Sequence, residues 1–263
     1  MKVLWIGGDH PRHLYYINTI HRVFPLSGAI VEQRENLIPQ PEPGLAPQDR
    51  DNFIRHFANR ADAEGRFFGD QTRPDCPTHL VGRAGLNSPE SVEFLASIAP
   101  DVVLIFGSGL VKDPLYSSLP PQTINLHLGL SPRYRGAATL FWPFYFMEPP
   151  CAGTTFHYIV SEPDAGDVVH QVVPELDPSD KIHDVACKAV GESAQAALGL
   201  MQILKEKGRL ERHRQRGTGR NFLASDFKPE HLRLIYNVFD DDMVRQYLAG
   251  KLTSKVPKLI RQF

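Results

Sequence analysis

Apolar residues in this chain come mostly in short unbroken runs, and only a few segments space them for a helix. Val3 to Ile6 is one such run, ended by Gly7-Gly8, and Ala29 to Glu32 is a second. Asp101 to Phe106 (DVVLIF) is the clearest, rich in β-branched residues and closed by Gly107-Ser108-Gly109. Thr123 to Leu128 follows. Gly153 to Val160 alternates, and Val168 to Val173 pairs with it as a hairpin. Continuous apolar runs this short predict strands buried on both faces, as in a mostly parallel sheet.

Between the runs the spacing changes. Phe53, Ile54, Phe57 and Ala58 form a stripe that predicts a helix over Asp51 to Ala63. Ser88-Pro89-Glu90-Ser91 reads as a helix start, with Ser88 as cap and Pro89 in the first turn, and that helix stops before Pro100. Ile182, Val185, Ala186, Ala189 and Val190 begin the stripe of a long helix, capped by Ser179 or Asp180 and ended by Gly208. Residues 40–50 (QPEPGLAPQDR) read as a loop, and Pro229 to Tyr236 and Asp240 to Leu248 as two short helices. The alternation predicts an α/β fold: a Rossmann-like open, mostly parallel twisted sheet with helices on both faces, plus a short helical C-terminal appendage.

Length agrees, because 263 residues suit one large domain with an extension, placed here at 1–208 and 209–263. The net charge of −1 hides a split. Residues 1–180 carry 13 basic and 21 acidic side chains (net −8), and residues 181–263 carry 16 and 9 (net +7). A wholly basic nucleic-acid coat and an acidic tail protein are both excluded. The basic side chains concentrate in residues 205–220, read as a solvated helix end and loop that could also meet phosphate. Three widely spaced cysteines, Cys76, Cys151 and Cys187, argue against a disulfide framework or a zinc ribbon. No apolar run approaches the ~18 residues of a membrane span, and the N-terminus turns polar too soon for a signal core. A cytoplasmic protein is expected.

Candidate chemistry gathers in residues 123–167. Asn125 and His127 are one residue apart on a strand, so they share a face at its C-terminal end, where open α/β sheets place ligands. A Gly/Pro/Arg-rich loop, Gly129 to Gly136, comes next. Asp164 lies in the turn Pro163-Asp164-Ala165-Gly166-Asp167 after another strand. An amide, an imidazole and a carboxylate converging fit acyl-type transfer. The amide and a protonated His can donate to a developing oxyanion, and the carboxylate can fix the His and accept a proton.

These residues resemble the folate-dependent formyltransferase family. Asn125-Leu126-His127, the loop Ser131-Pro132-Arg133-Tyr134-Arg135-Gly136-Ala137 and Asp164-Ala165-Gly166-Asp167 carry the resemblance, which covers roughly residues 1–210. It implies formyl transfer from N10-formyltetrahydrofolate to the primary amine of a small molecule, with no metal. Asn125 and His127 would hold the tetrahedral oxyanion, and Asp164 would partner His127 and take the proton. Phe106, Gly107, Ser108, Gly109, Leu110 and Val111, with Asp164, would face the folate. Gly8, Asp9, His10, Arg133, Tyr134, Arg135 and Gly136 would border the acceptor. Leu128 and Gly129 depart from the family loop, which has Pro and Ser there. The glycine loop that holds phosphate in the purine-pathway members is absent near residue 8, which argues against a glycinamide ribonucleotide acceptor.

In overall organisation the chain is similar to the catalytic domain of methionyl-tRNA formyltransferases, and in size to sugar N-formyltransferases. A tRNA partner is disfavoured, since about 55 helical-looking residues stand where the tRNA enzymes carry a β-barrel. The first acceptor choice is a nucleotide-linked amino sugar. Other readings are an amino acid or peptide-biosynthesis precursor as acceptor, hydrolysis of the same folate, and a folate-binding sensor module. The tail is expected to pack on the main domain or in a homodimer. His10 and His13 read as surface histidines rather than metal ligands, and His157 and His170 as solvated strand positions. Gly7-Gly8 reads as a tight turn, not a dinucleotide fingerprint.

Overall fold

A computed structural model describes residues 1–33, 38–216 and 219–263. The chain runs β1 (Val3–Gly8), α1 (Pro11–His21), β2 (Gly28–Gln33), α2 (Pro47–Phe68), β3 (Thr78–Gly82), α3 (Pro89–Ile98), β4 (Val102–Phe106), α4 (Leu115–Ser118) and β5 (Thr123–His127). It continues with β6 (Tyr134–Gly136), α5 (Trp142–Tyr145), β7 (Thr154–Tyr158), β8 (Val168–Val172), α6 (Ile182–Lys207), β9 (Arg220–Phe222) and α7 (Met243–Leu248).

Seven strands form one sheet in the order β3-β2-β1-β4-β5-β7-β8. The first five are parallel to their neighbours, and β7 and β8 are antiparallel additions at the β5 edge. This is the expected mostly parallel α/β sheet, and its strand alternation sorts the core. Val3 and Trp5 of β1, with Val102, Leu104 and Phe106 of β4, pack on the face covered by α1 and α6. Leu4, Ile6, Val103 and Ile105 pack on the opposite face with Leu95 of α3 and Leu115 of α4. Each of these side chains contributes about 1.5–3 kcal/mol by its burial.

Several local readings change. Gly7 and Gly8 lie inside β1 rather than in a turn after it. The segment 40–50 gives way to α2 at Pro47, where proline suits the first helical position because its missing N–H has no partner to lose. The long helix α6 is capped by Lys181, whose N–H donates to Asp184 (2.9 Å), while Asp180 receives the Asp177 N–H and the Lys188 ammonium. Gly208 ends α6 in the left-handed conformation, as expected.

The tail folds back on the main body. β9 pairs in parallel with β6, so the tail supplies a strand beside the 131–137 loop. Phe222 stacks on Trp142 at 4.5 Å between ring centres, and Leu232, Ile235, Tyr236, Met243 and Val244 join the same apolar cluster. Arg233 clamps the buried Asp49 of α2 through two bonds of 2.6 Å, holding that carboxyl below the usual range. The C-terminal residues run along β8, where the Gln171 N–H donates to the Ile260 carbonyl (2.7 Å). The basic side chains of the 205–220 run stay exposed, as the solvated reading expects, while Leu210 is buried between them; residues 217 and 218 lie outside the described residues. Among the described residues no helix is long and apolar enough to cross a membrane.

Candidate active site

β5 places Asn125 and His127 on one face, as their spacing requires, and both line a cavity of about 1130 Å³. The cavity opens at the C-terminal ends of β1, β4 and β5, where a parallel sheet leaves its connections free to form a site. The β7–β8 hairpin carries Asp164 into the same space. Asp164 adopts φ +53°, so it takes the strained turn position itself. Gly166 lets the turn close: a Cβ there would lie 1.7 Å from the Tyr158 carbonyl oxygen.

Asp164 stands between two imidazoles. Its Oδ2 lies 3.3 Å from His127 Nδ1 and accepts the Gly136 N–H at 3.0 Å. Its Oδ1 lies 3.4 Å from His157 Nε2. Burial works to raise the Asp164 pKa, but the contacts with His157, the charge of His127 and the Gly136 N–H outweigh it and hold it at about 2. Burial also lowers the His127 pKa, against the opposing charge of Asp164. His127 Nε2 donates to the Tyr134 carbonyl at 2.9 Å. Since a carbonyl only accepts, that nitrogen carries the hydrogen, and Nδ1 faces the carboxylate.

His157 corrects the sequence reading. It is 2% exposed, pairs directly with Asn125 across β5 and β7, and lines the cavity. Its Nδ1–H donates to the Tyr158 carbonyl (2.9 Å), leaving Nε2 to accept from the Asn125 side-chain amide at 3.0 Å. That contact turns the Asn125 NH2 group toward the site. The missing signal was the pairing of β7 with β5. His170 and His13 are likewise buried, at 4% and 6% exposure, because Phe263 covers one and the other packs on Phe106.

Gly129 explains one departure in the loop. A Cβ at this position would meet the Tyr134 carbonyl at 2.5 Å and His127 Nε2 at 2.6 Å, so the turn closes on His127 only without one. The fold over His127 is pinned by Thr155, whose hydroxyl donates to the Gly129 carbonyl and accepts the Ser131 N–H.

The other expected residues divide. Phe106 to Val111 all line the cavity, as do Gly8, Asp9, His10 and Gly136. Arg133, Tyr134 and Arg135 do not. Arg133 and the Tyr134 hydroxyl engage Glu148, and Arg135 faces an outer groove beside Glu162. Tyr134 still serves the site through its carbonyl. The 106–111 loop is held from behind by Asn87, which donates to the Leu110 carbonyl and accepts the Lys112 N–H, while the Leu110 side chain stays 48% exposed. Among the described residues no group of three or more His, Cys, Asp or Glu could hold a metal.

A family model described as formyl transferase matches residues 54–198, more than half the chain. The chain belongs to the formyl transferase family. Among curated formyl transferases, a methionyl-tRNA formyltransferase of Trichlorobacter lovleyi is 30% identical over 101 residues, which are 35% of this chain and 31% of that protein. The chain thus matches under a third of that relative's length. Among solved structures, a phosphoribosylglycinamide formyltransferase from Anaplasma phagocytophilum aligns with TM-score 0.56 at 16% identity, over 84% of this chain and 98% of that one. A sugar N-formyltransferase from a Shewanella species aligns with TM-score 0.56 at 14% identity, over 86% and 78%. At these identities the two structures share the formyl transferase fold with this chain.

Proposed function

We propose that the chain is an N-formyltransferase that moves a formyl group from N10-formyltetrahydrofolate to the primary amine of a small molecule, with a nucleotide-linked amino sugar as first candidate. The observation that carries this reading is the Asp164 carboxylate set between His127 and His157 in the cavity that the 106–111 loop also lines. The folate supplies the activated formyl carbon. Asn125, oriented by His157, donates its free amide hydrogen to the oxygen that becomes negative as the amine attacks. Asp164 and His127 take the amine's proton. His127 Nδ1 receives it beside the carboxylate, while the Tyr134 carbonyl holds the opposite ring nitrogen. Collapse of the tetrahedral intermediate then breaks the bond from the formyl carbon to N10, and that proton passes to N10 as tetrahydrofolate leaves. His127 supports the oxyanion by the charge it gains, since both of its nitrogens already face protein partners. The main-domain span 1–208 supplies these groups, and the 209–263 extension braces them.

The test is a panel of amino sugars, nucleotide-linked amino sugars and amino acids incubated with the chain and N10-formyltetrahydrofolate. Gain of one formyl group by an acceptor, matched by release of tetrahydrofolate, supports the reading. Release of formate with no acceptor modified sinks it.

A further inference from the structure

The cavity has a second polar region, built from α1, α2 and α6. Arg12, Glu64 and His183 line it, with Phe57 and Phe227 among its walls. Arg12 Nη1 pairs with Glu64 Oε1. Glu64 is 3% exposed and His183 6%. Three of their polar atoms are nevertheless buried with no hydrogen-bond partner: Glu64 Oε2, Arg12 Nε and His183 Nε2. Native interiors seldom leave such atoms unmet, and a cluster lining a cavity points to a ligand that meets them.

The chemistry of the three atoms is specific. Nε2 of the buried His183 imidazole has no protein partner, so it is open to a ligand group that can either donate or accept. Burial and then the charge of Arg60 push the His183 pKa down to about 3, so the ring stays uncharged near neutral pH. Glu64 Oε2 is an acceptor, and Arg12 Nε–H is a donor.

We propose that this region binds hydroxyl groups of the formyl acceptor, a neighbouring pair such as a sugar ring presents. The inference rests on the formyl-transfer reading, to which it adds where the acceptor's ring sits. A hydroxyl is neutral and both donates and accepts. One can pair with His183 Nε2 as donor or acceptor, and its neighbour can donate to Glu64 Oε2 while accepting from Arg12 Nε–H. A phosphate or carboxylate here would face the Glu64 carboxylate. An ammonium would face Arg12 and Arg60.

The test measures binding apart from turnover. Saturation-transfer NMR on the full chain with tetrahydrofolate compares glucosamine, galactosamine and mannosamine with aminocyclohexane, which has the ring and the amine but no hydroxyls. At least one amino sugar is expected to bind about ten-fold or more tighter than aminocyclohexane. His183→Phe, which keeps an aromatic ring but lacks Nε2, is expected to erase most of that preference. Glu64→Gln should do the same, and either folded variant suffices. No preference in the wild type, no binding by any probe, or a preference that survives substitution overturns the proposal. Formyl transfer to the same sugars is read separately by mass. Transfer without a hydroxyl preference rejects this subsite and keeps the transfer reading, whereas a preference without transfer to any amine does the reverse.

Discussion

The side-chain amide of Gln215 donates to the main-chain carbonyl of Asp164 at 2.7 Å, and the same nitrogen donates to the Gly166 carbonyl at 2.8 Å. A residue of the tail thus holds the turn that presents the site's carboxylate. Gln215 does not itself line the cavity, so its expected effect is on the position of Asp164. Gln215→Leu is expected to lower kcat about ten-fold or more, in keeping with ~1 kcal/mol per lost hydrogen bond, with little change in KM for the folate. Steady-state kinetics beside a melting curve check this. A fall in melting temperature with kcat intact would make the residue merely structural.

Gly129→Ser restores the residue usual in the family loop, yet here it should impair the enzyme. The added Cβ falls within 2.6 Å of His127 Nε2 and 2.5 Å of the Tyr134 carbonyl, so the bond between those two groups must break. Formyl transfer is expected to drop by about ten-fold or more, since misplacing a catalytic group by ~1 Å can cost 10²-fold. Activity at the wild-type level would show that the loop relaxes without moving His127.

His157→Phe keeps the ring but removes the acceptor that turns the Asn125 amide. The expected result is a fall in kcat of about 10²-fold, the order seen when one oxyanion donor is lost. His157→Gln, which can still accept from Asn125, should recover part of it.

Acid should destabilise the fold from about pH 6.5 downward. His183 is held at about 3 and His170 at about 4 by burial, and His127 and His56 are also lowered. The unfolded chain binds protons on these groups below ~6.5 while the native state does not, so stability rises with pH across that window, by up to ~1.4 kcal/mol per pH unit for each group. Asp164 works in the same direction lower down: its pKa of about 2 contributes about 2 kcal/mol that is present above pH ~4 and lost as pH falls toward 2. Chemical denaturation between pH 7.5 and 4 measures the histidine slope, and a flat profile would contradict it.

The sheet was legible because its strands are buried on both faces. DVVLIF has no other use for five apolar residues in a row, and β4 occupies Val102–Phe106. β3 was not legible, since Thr78–Gly82 lies at the sheet edge with Leu80 47% exposed and carries no such run. β6 and β9 are three residues each and exist through pairing with one another, a relation no local pattern encodes. At the site, Asn125 and His127 could be placed together by strand periodicity, and the turn motif brought in Asp164. His157 was hidden because its role depends on which strand it faces. Arg133 and Arg135 looked like acceptor contacts because charge in a loop reads as exposed function, yet Glu148 and Glu162 occupy them.

In the proposed reaction Asn125, His127 and Asp164 act together on a formyl group. The most direct measurement is single-turnover transfer from N10-formyltetrahydrofolate to an accepted amine, comparing wild type with Asn125→Ala and Asp164→Asn, with folate affinity measured alongside by fluorescence. The rate is expected to fall at least about 10²-fold in each variant, with folate affinity within a few-fold of wild type. Transfer at the wild-type rate in either variant would contradict the account.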